Sequence, residues 1–141
     1  MLPDKLKIEE IIKELQKIMR IQDWDIEIDF LTGKEFYDDN GEFSMVNHIN
    51  RLRNYSNIDI DVECQDNKDN WYHNLVHELM HLVTDAFYYS TIKSFNALPS
   101  ESKKAVENDS NVSNERTVDK LAVIFVSIYP ITNLNHILEV V

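Results

Sequence analysis

Between Asn70 and Tyr89 the side chains separate onto two faces of a helix. With His77 at 0° and about 100° per residue, Leu75, Val76, Leu79, Met80, Leu82, Val83, Ala86 and Phe87 fall between about 140° and 300°. His73, Asn74, His77, Glu78, His81 and Asp85 fall between about −40° and 100°. An apolar face this complete has to lie against a core. The opposite stripe, rich in titratable groups, must then face a groove or solvent, and any fold has to provide both surroundings.

The other elements are shorter. Lys5 to Arg20 spaces Leu6, Ile8, Ile11, Ile12, Leu15, Ile18 and Met19 at mostly helical intervals. Trp24 to Phe30 alternates strictly, with Trp24, Ile26, Ile28 and Phe30 on one side and Asp25, Glu27 and Asp29 on the other, as a half-buried strand does. Asp38-Asp39-Asn40-Gly41 reads as a turn. Phe43 to Ile49 and Ile58 to Val62 are further strand candidates. Ser90 to Ser113 is polar, contains Pro99, and is expected to be a long excursion with at most a short helix. Asn114 to Tyr129 is a largely apolar final helix stopped by Pro130. The order helix, three strands, helix, loop, helix predicts an α+β fold. Its small sheet should be mostly antiparallel, with the helices on one face.

At 141 residues the length suits one domain, 1–141, and 43% hydrophobic residues suffice for a core. With 25 acidic against 14 basic residues the formal charge is −11, which lacks the electrostatic footprint of a nucleic-acid binder. No stretch approaches the roughly 18 apolar residues of a membrane span. MLPDKLKIEE has no apolar signal-peptide core, and Cys64 is the only cysteine, so a cytoplasmic, disulfide-free protein is expected.

The chemistry is concentrated in His77-Glu78-Leu79-Met80-His81. Histidines four apart on a helix lie about 40° apart around the axis and one turn apart along it, so both imidazoles reach one metal ion from one rigid element. Glu78, at the edge of the same stripe, is placed to hydrogen-bond a water on that metal without ligating it, as a general base does. Zinc suits this donor set. A catalytic zinc takes three protein ligands and leaves one position open, so a third ligand is needed. A third histidine six residues after His81 would fall at Phe87, which rules that spacing out. Asn114-Glu115-Arg116-Thr117-Val118-Asp119 opens the last helix, with Glu115 and Asp119 on one face. Asp85, Glu107 and Asp109 are the rival carboxylates.

HELMH followed by NERTVD resembles the gluzincin metallopeptidases, in which HExxH precedes a helix carrying NExxxD. The resemblance covers about 30 residues and implies that Glu115 is the third zinc ligand and that Asp119 orients His77 from outside the coordination sphere. It departs from thermolysin in its longer gap between motifs and in lacking the domain that supplies further substrate contacts. The compact order looks more like the minimal metallopeptidases encoded in phages and prophages.

Other residues attract weaker readings. His73 lies a further turn away, too far along the axis to share the ion, and suits a cleft wall. His48 and Tyr55, near the strands that should edge the cleft, are candidates for stabilising an oxyanion. His136 reads as a surface residue and Cys64 as a half-buried one. The expected function is a zinc-dependent endopeptidase acting on an extended peptide or protein substrate, paired along the strand that borders the cleft. The alternative is a catalytically silent zinc module that binds a protein partner. Oligomeric state is not legible.

Overall fold

Residues 1–139 are described by the computed structural model. The described elements run α1 (Lys5–Met19), β1 (Asp25–Leu31), α2 (Gly33–Asn40), β2 (Met45–Asn50), β3 (Tyr55–Asp61), α3 (Gln65–Ser94), α4 (Ser100–Ile128) and α5 (Asn135–Leu138). Short 3-10 turns at Phe95–Ala97 and Ile131–Leu134 precede α4 and α5. The fold is α+β, as expected. Among the described residues no single helix is long and apolar enough to cross a membrane.

The sheet is mixed, which corrects the mostly antiparallel expectation. Its order is β1-β3-β2, with β3 antiparallel to β2 but parallel to β1. The cause is α2. Thr32-Gly33-Lys34-Glu35 forms a capping arrangement in which the Glu35 carboxylate accepts from the Thr32 hydroxyl at 2.7 Å and from its N–H at 3.3 Å. The hydroxyl also holds that carboxyl below its ordinary range. The helix ends at Gly41, whose φ of 75° favours a residue without Cβ. Asp38 to Gly41 is therefore a helix terminus rather than a hairpin turn. With a helix inserted after β1, the chain enters β2 at the far edge and turns back into β3 at the centre.

The alternation of β1 survives in the structure: Ile28 is buried while Asp25, Glu27 and Asp29 are exposed. Ile28, Ile58 and Ile60 pack with Ile8, Ile11, Ile12 and Leu15 of α1 and with Leu75, Val76 and Leu79 of α3 in one core. At α1 the Asp4 carboxylate accepts from the Lys7 N–H at 2.9 Å and starts the helix. Asp59 lies between Ile58 and Ile60 and so faces the other side of the sheet, where Asn40 of α2 donates to it at 3.1 Å. Thus α2 departs from the expected single helical layer.

Two tethers orient α3. Its axis breaks at Asn70 (φ −127°), and just before the break the buried Asn67 donates to the carbonyls of Ser44 and Asp61 at 2.6 and 2.8 Å. Beyond Leu82 its apolar face leaves the core. Val83 and Phe87 are exposed, 42% and 81%, so only the first half of that face performs the packing expected of all of it.

The polar stretch 90–113 is also corrected. Helix α3 continues to Ser94 and α4 begins at Ser100, making a helical hairpin in place of a loop. Nothing between Ser100 and Ile128 is Gly or Pro, and Pro99 stands at the entry to the helix, where its fixed φ is compatible and its missing N–H costs nothing. Val118 and Ala122, both fully buried, anchor the C-terminal half of α4 to the core.

Candidate metal centre

In the α3–α4 hairpin, partner positions fall along α4 as they rise along α3. His73 and His77 lie opposite Asp119, and His77 and His81 opposite Glu115. This antiparallel pairing brings one donor atom each from His77, His81 and Glu115 to within 4.8 Å of one another. His77 Nε2 stands 3.4 Å from one Glu115 oxygen, and His81 Nε2 stands 3.2 Å from the other. The two imidazoles are nearly perpendicular, with centroids 5.1 Å apart. Ligands at ~2.0–2.1 Å from a tetrahedral zinc stand about 3.3 Å from each other, so each His–Glu115 separation is close to that spacing. Two imidazole nitrogens and one carboxylate oxygen are also a donor set that zinc accepts.

The electrostatics have the same sense. Burial holds the His81 pKa below its ordinary value, against the pull of Glu115, which leaves a neutral ring with a lone pair to donate. Burial likewise pushes the Glu78 carboxyl up to about 8, helped by the nearby Glu115 charge and opposed by a backbone N–H of Asn47. Without a cation, two carboxyl groups face one cavity of about 450 Å³. A divalent ion between them would reverse that repulsion. Glu78 lines the cavity but is not one of the three converging donors, as a residue acting on water rather than on metal requires.

Asp119 Oδ1 lies 3.5 Å from His77 Nδ1, on the ring edge away from Glu115, and 3.9 Å from His73. His73 lies beside the cleft, where it lines a smaller cavity with Asn74 and Asp119. Of the rival carboxylates, Glu107 pairs with Lys103 at 3.9 Å, and Asp109 is exposed. Asp85 is 5% exposed and receives Nε and Nη2 of Arg51 at 2.7–3.2 Å, so it is a buried ion-pair partner rather than a ligand or a surface residue. Arg51→Ala leaves that carboxylate uncompensated. The expected loss is about 3 kcal/mol by denaturant titration, the low end for a broken buried pair because Arg51 keeps 35% of its side chain exposed.

His48 and Tyr55 do not reach the cleft. His48 Nε2 lies 2.9 Å from Asn40 and 3.1 Å from Asp59, and the Tyr55 hydroxyl donates to Glu27 at 2.9 Å, all on the far side of the sheet. The period of two excludes them, since β2 presents Met45, Asn47 and Ile49 to α3 and turns His48 away. His136 is exposed and Cys64 half-buried, immediately before α3.

The sequence reading missed three contributors. Asn47 donates its side-chain amide to the Glu78 carbonyl at 3.0 Å, which locks β2 to α3 at the residue whose side chain lines the cleft. Arg51 closes the cleft beyond His81. Tyr88, two turns after His81, falls on the histidine stripe, and its helical spacing was a usable signal. Comparison of the chain with protein-family models, curated proteins and solved structures finds no match.

Proposed function

We propose that this chain is a zinc-dependent endopeptidase of minimal gluzincin type. The observation that carries the reading is the convergence of His77, His81 and Glu115 from two helices at a cleft that also holds the half-buried Glu78. His77, His81 and Glu115 would hold the ion, with Asp119 steadying the His77 ring. When bound, zinc supplies Lewis acidity that makes water ionisable near neutral pH.

The chain's own residues supply the rest. A Glu78 carboxylate oxygen takes the proton from the attacking water and delivers it to the leaving amine nitrogen, so that a C–N bond breaks as a C–O bond forms. Asn47 fixes the backbone from which Glu78 projects. Strand β2 is an edge of the sheet and borders the cleft, so its unpaired backbone groups can pair with an extended peptide. Phe43, Met45 and Ile49 give that cleft an apolar wall.

Metal analysis of protein purified without chelator tests this reading, with about one zinc per chain expected. Glu115→Gln is expected to weaken zinc affinity far more than Glu107→Gln. Asp119→Asn should give an intermediate loss, on the order of 10–100-fold. Equal effects at positions 107 and 115 would remove Glu115 from the ligand set.

A further inference from the structure

A second cavity, of about 230 Å³, opens beside the metal centre and shares Ile49, His81 and Glu115 with the first. The two differ in chemistry. Besides the reacting-centre residues His77 and Glu78, the first adds Phe43, Met45, Val46 and Asn47, whereas the second adds Arg51, Asp85, Tyr88, Asn111 and Asn114. The cleft is therefore apolar on one side of the reacting centre and rich in hydrogen-bonding groups on the other.

The polar side is held rigidly. Asp85 grips Arg51 through Nε and Nη2, and the guanidinium stacks on the Tyr89 ring at 4.5 Å from its centroid. Among the described residues, Arg51 Nη1 makes no hydrogen bond. Arg51, with spare guanidinium N–H groups, Tyr88 and the two α4 carboxamide residues Asn111 and Asn114 thus border one small space. Asp85 cancels the Arg51 charge, and the chain as a whole carries −11, so little draws in a carboxylate. A neutral group that both donates and accepts is complementary to this lining.

The geometry points to a substrate subsite here that takes a carboxamide side chain, Gln or Asn, while an apolar side chain of the same peptide occupies the first cavity. This inference rests on the peptidase reading for its substrate. Its physical basis is that half-exposed polar groups which an apolar side chain would cover lose their water without gaining a partner, whereas an apolar wall discriminates weakly.

The test uses fluorescently labelled decapeptides with one Leu in an Ala/Ser/Gly background and Gln, Glu or Leu at each flanking position in turn. They are titrated by anisotropy against the zinc-loaded Glu78→Gln chain and digested with wild type. At one flanking position Gln is expected to bind at least tenfold tighter than Leu and several-fold tighter than Glu. In Tyr88→Phe/Asn111→Ala, with zinc content unchanged, the gap between Gln and Leu should narrow to within threefold. Asn111→Ala alone, at an exposed position of α4, should narrow it in part and guards against misfolding of the double variant. The subsite is overturned if no position shows the preference, if Glu is preferred to Gln, or if the gap survives both variants. Selective binding of Gln peptides with no cleavage by wild type would uphold the subsite and sink the peptidase reading. Cleavage without selectivity would do the reverse.

Discussion

Glu78→Gln is expected to bind zinc as wild type does, to melt within a few degrees of it, and to lose roughly two to four orders of magnitude in turnover on an unstructured peptide pool. Gln keeps the shape of Glu, and the residue lies outside the converging donor set, so coordination by His77, His81 and Glu115 is untouched. The loss falls on proton transfer. A carboxamide cannot take the proton from the attacking water, and general-base catalysis by a positioned carboxylate contributes roughly 10²–10⁴-fold. Zinc content by mass spectrometry and initial rates on the same preparation decide the matter. Cleavage that persists at the wild-type rate would point to a contaminating protease. If wild type also fails to cut, and both forms hold a protein partner equally well, the chain is a silent zinc module.

The candidate ligands on α3 are legible because helical spacing is a local property. His77, Glu78 and His81 need only one element to share a stripe, and Leu75, Val76 and Leu79 need only a core to face. Glu115 was legible only through its resemblance to a motif. Its approach to His81 depends on a hairpin whose 90–113 stretch reads as a loop because it is polar and contains Pro99, and its Ser, Asn and Asp residues are poor helix formers. Their weak propensities lost to continuity, since no breaker interrupts 100–128 and buried Val118 and Ala122 secure the element. The parallel pairing of β1 with β3 was hidden for a related reason. The signals for α2, Thr32 with Glu35 and then Gly41, were present but were outweighed by the turn-like run Asp38 to Asn40. Asn47 and Arg51 were not recoverable at all. Each acts across 31 to 34 residues of sequence, through a register that only the assembled sheet defines.

Removing the metal should have the second large effect. A chelator is expected to lower the melting temperature of wild type by on the order of 10 °C, and readded zinc should restore it. A ligand present at ~1,000 times its dissociation constant contributes about 4 kcal/mol to the folded state, and each kcal/mol shifts the midpoint of a chain this size by roughly 3 °C. A bound ion would join two helices that otherwise meet at this point through His–carboxylate contacts of 3.2–3.5 Å, in which the exposed Glu115 contributes little by itself. His77→Ala/His81→Ala should therefore carry no zinc and melt near chelated wild type, with no response to chelator or to added zinc. Circular dichroism melts on matched samples, paired with metal analysis, make the comparison. The alternative is that His77, His81 and Glu115 form only an ion-pair cluster. In that case chelation would leave the wild-type melt unchanged, and the double variant would keep whatever zinc the wild type carries.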